Sequence, residues 1–241
     1  VLLDLLGEIV GVLDLHEFRE TLVSAMLRAM PAKWASLNEV GPDSVTALVV
    51  PDLDQVWYDR FAEYAHENPL LQRFTRTRDG RAYRFSDVTT RAELESTRLY
   101  REVYAHIGVE HQIAFTLPAE PDRVLAVVMH RDDRDFSDAE RDFLNRARPF
   151  LIQAYRNAVA YSNVNRQSSN VLEAALVGEG LTARQAEVLR LVALGSSNRD
   201  VAASLGLSDR TVQKHLERAF RVLGVATRSA ASARAWQLAG G

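Results

Sequence analysis

The 241-residue chain is 47% apolar and contains no cysteine, so it can bury one large core or two smaller ones, and disulfide scaffolds, thiolate zinc sites and cysteine nucleophiles are excluded. No stretch reaches the ~18 consecutive apolar residues of a membrane span, and no basic, apolar and small-residue blocks of a secretory signal follow Val1, so a cytoplasmic protein without a membrane partner is expected. The net charge of −3 divides unevenly: from Glu179 to Gly241 nine Lys and Arg face five Asp and Glu, +4, which leaves 20 against 27 upstream, −7. A basic tail on an acidic body suits a phosphate-binding module beside a domain with another task.

Taken in chain order, Leu2, Leu6, Ile9 and Leu13 form a helical stripe. Asp14 to Glu17 reads as a capping box opening a second helix, with Phe18, Leu22, Ala25, Met26 and Ala29 on one face and Pro31 at its end. Val45 to Val50 reads as a strand and Gln55 to Ala65 as a helix. Three further strands are expected at Tyr83 to Phe85, Gln112 to Leu117 and Val124 to His130, with a helix over Glu93 to His106. Ser137 to Glu140 is a second capping box. It opens a long helix whose apolar face is expected to be Phe143, Ala147, Phe150, Leu151, Ala154, Ala158 and Tyr161, kinked at Pro149. Residues 163–170 are polar except Val164, which places a linker at 163–178. An N-terminal α/β/α sandwich over 1–162, an antiparallel sheet flanked by helices, then precedes an all-α domain of four helices at 179–241.

In that second domain, Leu181 to Gln185 starts a helix with Ala186, Leu189, Val192 and Ala193 on one face, closed by Gly195. Asn198 is expected to cap the next helix, whose inward residues are Val201, Ala202 and Leu205. Leu205-Gly206-Leu207-Ser208 is a sharp turn in which glycine can take positive φ and Ser208 can cap the third helix. There Val212, Leu216, Ala219, Phe220 and Leu223 share one side. Arg210, Lys214, Glu217 and Arg221 occupy the other, with Thr211 and Gln213 on the shoulders and Arg218 beside them. Two helices joined by a tight turn, the second with a cationic outer face, suit insertion into the major groove of double-stranded DNA. The helix start can meet phosphates, while glutamine, lysine and glutamate can pair with base edges.

The strings Leu181-Thr-Ala-Arg-Gln-Ala-Glu-Val-Leu189, Gly195-Ser-Ser-Asn198, Ser208-Asp-Arg-Thr-Val-Gln-Lys-His215 and Leu223-Gly-Val-Ala-Thr-Arg-Ser-Ala230 resemble the LuxR-type (LuxR/FixJ/GerE) DNA-binding domain. The resemblance implies a transcription regulator whose third helix reads DNA and whose last helix, Arg228 to Leu238, packs against its mate in a homodimer, with RNA polymerase as a candidate partner. It places Gln213, Lys214 and Glu217 at base-reading positions and Arg210 and Thr211 at phosphates. His215 matches the motif with a packing or phosphate role. A sigma-factor-like polymerase subunit is the alternative with a similar helix-turn-helix. The absence of an aromatic-rich all-helical segment upstream weighs against it.

The region before the linker resembles autoinducer-sensor and GAF-like domains in its order of elements. Homoserine-lactone sensors carry a tyrosine where this chain has Phe61, an aspartate where it has Asn68, and a tryptophan near Phe85, so a different small molecule is expected. Trp57, Phe61 and Tyr64 on one helical face, with Phe85 and Phe115, either line a pocket for an effector or are plain core; a sensor and a ligand-free dimerisation or partner-binding domain both stay open. His66, His106, His111 and His130 lack metal-ligand spacing, and there is neither a Gly-rich phosphate loop nor a nucleophile elbow. No enzyme, metal or cofactor is therefore expected.

Overall fold

The computed structural model describes residues 1–240, which separate into two compact units, Val1–Ser162 and a second beginning at Asn163. The first unit opens with α1 (Leu2–Ile9) and α2 (Leu15–Ala29), the latter capped by the Asp14 carboxylate, which accepts from the His16 and Glu17 amides at 3.0 Å. There follow β1 (Trp34–Val40), β2 (Val45–Val50), α3 (Gln55–Tyr64), α4 (Pro69–Thr77), β3 (Tyr83–Arg84) and α5 (Arg91–Ser96). A π-turn at Tyr100–Tyr104 then runs into α6 (Ala105–Ile107), β4 (His111–Leu117) and β5 (Val124–Arg131). The strands form one antiparallel sheet in the order β2-β1-β5-β4-β3.

Periodicity revealed neither helix α4 nor strand β1, and β1 matters more for the sheet. It lies second in the sheet, between β2 and β5, with Leu37 opposite Leu48 on one side and Val127 on the other. Because side chains alternate across a strand, Ala35 and Leu37 face one layer while Trp34, Ser36 and Asn38 face the other. The single helix expected over residues 93–106 is broken at Thr97, whose backbone is extended and whose hydroxyl accepts from the Tyr100 amide at 3.1 Å. The Glu67 carboxylate takes the Arg98 and Leu99 amides at 2.6 and 3.3 Å, so the chain restarts there as a new turn.

Each sheet face carries its own apolar layer. On one, Ala35, Leu37, Ile113, Phe115, Leu117, Leu125, Val127 and Met129 pack against α1, α2 and the first part of α7 (Asp138–Gly178). On the other, Ala114, Val124, Ala126 and Val128 lie with Leu70, Phe74, Phe85, Leu94, Val103 and Tyr104 from the α3 to α6 side. Helix α7 continues through Pro149, and its buried residues are Leu144, Ala147, Leu151, Ala154 and Ala158. Phe150 and Tyr161, expected on that face, are about half exposed instead, because the buried stripe lies one step to the side of them. Residues 163–178 are helical too. Leu172 and Leu176 are fully buried in the core of the second unit, so this stretch contributes to packing as well as to connection.

The second unit continues with α8 (Ala183–Ala193), α9 (Asn198–Leu205), α10 (Asp209–Leu223) and α11 (Arg228–Gly240). Among the described residues no helix is long and apolar enough to cross a membrane. Phe115, fully buried against the α2 and α7 layer, is expected to cost the chain about 3–5 kcal/mol of unfolding free energy as Phe115→Ala. Urea titration of the variant would check this; a loss below 1 kcal/mol would contradict the packing described.

Candidate nucleic-acid interface and sheet-floor cleft

Helix α10 is held by its apolar side. Val212, Leu216 and Ala219 are buried against Ala186, Leu189 and Val201, with Phe220 and Leu223 partly buried beside them. Ser208 caps it, accepting from the Thr211 amide at 3.2 Å, and the two hydroxyls lie 2.8 Å apart. Gly206 ends α9 at φ +62, the left-handed conformation that lets the turn reverse direction without a Cβ clash. The α9 cap is Ser197, in a capping box with Asp200, and not Asn198. Asn198 is the first helical residue and its side chain is used elsewhere.

The opposite side of α10 is exposed along Arg210, Gln213, Lys214, Glu217, Arg218 and Arg221, while Thr211 is half-buried. A row of hydrogen bonds crosses three helices here. Arg228 donates to Asn198 Oδ1 at 2.8 Å, Asn198 Nδ2 to Gln213 Oε1 at 3.2 Å, and Gln213 Nε2 to Glu217 Oε1 at 3.1 Å. Arg228 also donates to the Ser196 carbonyl. Gln213 and Glu217 are thereby held in one orientation before anything binds. Arg184, Arg190 and Arg234 are paired with Glu187, Glu173 and Glu179. Arg210, Lys214, Arg218 and Arg221 form no ion pair among the described residues, so four positive charges project from one helix face. His215 is half-buried with Nδ1 enclosed and unpartnered, a packing position and not a surface one.

The first unit holds a cleft on the α3 to α6 side of the sheet. Trp34, Ser36, Asn38, Ala47, Val49 and His130 form its floor, with Trp57, Tyr58, Phe61, Tyr104 and Ile107 among its walls. Its volume is about 470 Å³ with the open mouth included, narrowing between the walls to room for roughly a few water molecules. A second hollow of about 330 Å³ shares Asn38 and Phe61 with it and extends along the floor past Gln112 and Ala126. Of the five expected pocket aromatics, Trp57 and Phe61 line the cleft. Tyr64 stands outside it under the Arg98 guanidinium, Phe85 packs behind Tyr104, and Phe115 is on the opposite face of the sheet. The last placement follows from strand alternation: on β4 it is Gln112 and Ala114 that share the cleft side.

Asn68 has all its bonds committed. Its Oδ1 accepts from the Leu70 and Leu71 amides at 2.9 and 3.0 Å, capping α4, and its Nδ2 donates to Tyr104 Oη at 2.9 Å and Gln112 Oε1 at 3.3 Å. Burial pushes the Tyr104 phenol up, so it remains a donor and gives its proton to Gln112 at 3.2 Å. His130 is buried on the floor, 3.4 Å from Ser36 Oγ through Nε2, with Nδ1 unpartnered. Burial pushes its imidazole down to about 4, so it is neutral at neutral pH. Sequence reasoning missed Ser36, Asn38 and His130. The readable signal was alternation, Ala35 and Leu37 against Ser36 and Asn38, which marks a strand with one apolar and one mixed face.

Residues 179–235 match the family model "Bacterial regulatory proteins, luxR family". The C-terminal unit is a LuxR-family helix-turn-helix domain. The description of that family is of bacterial regulatory proteins. Over 81 residues the chain is 40% identical to "Probable transcriptional regulatory protein NarL" of Mycobacterium tuberculosis, covering 33% of this chain and 38% of that protein. Over 137 residues it is 26% identical to "Transcriptional activator protein CarR" of Pectobacterium carotovorum, covering 54% and 56%. The chain therefore spans less than two thirds of either relative. Among solved structures, the LBD domain of VqsR from Pseudomonas aeruginosa matches with TM-score 0.54 and 19% identity over 66% of this chain and 96% of that one. SdiA of Escherichia coli matches with TM-score 0.50 and 13% identity over 98% and 95%. These likenesses concern the fold alone: the first unit has the fold of the VqsR LBD domain.

The His130 imidazole gives a pH signature. Its value in the unfolded chain is near 6.5, so acidification protonates the unfolded state first and folding stability falls as pH drops from about 6.5 to about 4, by about 3 kcal/mol in all. His130→Gln is expected to flatten that window in urea titrations read by tryptophan emission. An unchanged slope in the variant would mean that His130 is not the group responsible.

Proposed function

We propose that the chain is a DNA-binding transcription regulator in which α10 enters the major groove, two copies of the chain presenting two such helices as a homodimer. Gln213, Lys214 and Glu217 read base edges, and Asn198 positions Gln213. Ser208, Arg210, Thr211, Arg218 and Arg221 meet the phosphate backbone around them. The observation that carries this reading is the set of four unpaired cations on the exposed side of a helix whose other side is locked in the core. Arg184, Arg190 and Arg234 of the same unit are paired, while Arg199 on α9 adds a further cation without an ion pair among the described residues. The capped start of α10 also leaves backbone N–H groups facing outward, where a phosphate is favoured by the helix dipole. Homodimerisation is supported by Phe150 and Tyr161 of the first unit, two half-exposed aromatic side chains three turns apart on one side of α7.

Residues 1–162 act as a sensor in this reading, an effector in the cleft altering how the two α10 helices are presented. Its open, mainly apolar cleft supports that role. The effector is not an acyl-homoserine lactone: the amide of Asn68, at the position where that class of sensor has an aspartate, is already spent on α4, Tyr104 and Gln112. RNA polymerase is the natural second partner for a DNA-bound regulator.

On a site selected from random DNA, Lys214→Ala and Gln213→Ala are each expected to weaken binding by ~1–3 kcal/mol and to relax the preference at the contacted base pair. Arg218→Ala, by contrast, weakens selected and random DNA alike and makes the salt dependence shallower. Wild-type binding by both base-reading variants in gel-shift titrations would remove α10 from the groove.

A further inference from the structure

The two faces of the sheet are built from different materials. The face toward α2 and α7 presents Leu37, Ile113, Phe115, Leu117, Leu125, Val127 and Met129, large apolar groups that fill the layer. The cleft face presents Ser36, Asn38, Ala47, Ala114 and Ala126, small or polar groups that leave space where a core would close it. Polar atoms on such a floor stay unrewarded unless something bonds them. Asn68, Tyr104 and Gln112 satisfy one another, as described above. His130 keeps one buried ring nitrogen without a protein partner, and the Asn38 amide lines both hollows where they join.

The cleft also lacks charge. None of its lining residues is Asp, Glu, Lys or Arg, and His130 is neutral at neutral pH. The cations nearest its tryptophans are already paired: Lys33, over the Trp34 ring, with Asp132, and Arg60, over the Trp57 ring, with Glu102. A charged ligand would leave water and find no partner. The walls are close together and carry the Trp57 indole and Phe61 above the Trp34 indole of the floor, which favours a slim aromatic body over a bulky one.

We infer that the cleft binds an uncharged, flat, largely aromatic molecule carrying one hydrogen-bonding group, which His130 and Asn38 read while Ser36 orients the imidazole. This deepens the sensor reading by naming the chemistry of the effector, and the binding site can stand even if control of DNA binding does not.

The test uses the full chain and two dyes with the same ring skeleton. N-phenyl-1-naphthylamine is neutral with a single N–H, and 8-anilinonaphthalene-1-sulfonate adds a sulfonate. Fluorescence titration is expected to give one site for the neutral dye, at least tenfold tighter than for the anionic one. N-octanoyl-homoserine lactone is expected not to displace it. His130→Leu and Asn38→Leu each weaken binding about three- to tenfold, and Ala47→Leu, which adds bulk to the edge strand under the cleft, abolishes it, with thermal midpoints recorded to separate these losses from unfolding. Equal affinity for the two dyes, or full-strength binding by folded Ala47→Leu, overturns the assignment. If the neutral dye binds as expected but operator affinity does not move, the cleft assignment holds and the sensor reading fails.

Discussion

Burial of one stripe of α10 sets what the C-terminal unit can present. With Val212, Leu216 and Ala219 fixed against α8 and α9, the 3.6-residue period leaves Arg210, Gln213, Lys214, Glu217 and Arg221 no direction but outward. Gly206 and the Ser208 cap fix where the helix begins, and the row from Arg228 through Asn198 to Gln213 and Glu217 fixes how two of the exposed side chains lie. The charge that phosphate attraction needs and the orientation that base reading needs therefore come from the same packing event. Gln213 also draws Glu217 toward itself, leaving the neighbouring cations unneutralised.

In the N-terminal unit the corresponding constraint is the two-residue period of β1. Pairing on both edges removes any freedom of register, so Ala35 and Leu37 must serve the α2 and α7 core while Trp34, Ser36 and Asn38 floor the cleft. A uniformly apolar β1 would pack more tightly and leave no site. The polar residues on this face either satisfy one another, as Asn68, Tyr104 and Gln112 do, or line the hollows, as His130 and Asn38 do.

Most of the helical architecture was legible because capping chemistry and amphipathic spacing are local. Asp14, Ser137, Thr182 and Ser208 mark the starts of α2, α7, α8 and α10, and the α10 face follows directly from step lengths. What sequence could not supply depended on tertiary partners. The alternation in β1 runs only from Ala35 to Asn38, too short to stand out as a strand until its two neighbours are known. Thr97 ends a helix only because Glu67, thirty residues earlier, takes the next amides. Phe115 looks like Phe61 in composition, yet the strand's alternation sends it to the other layer. Asn198 has the right chemistry for a cap, but Ser197 with Asp200 takes that place and frees Asn198 to bond Gln213 and Arg228.

The central claim, that α10 reads the major groove as one of a pair, is tested most directly by methylation interference on DNA selected by the full chain. Methylation at guanine N7, which projects into the major groove, is predicted to block binding in two half-sites about 10 base pairs apart. Interference confined to adenine N3 in the minor groove, or to a single unrepeated site, would contradict it.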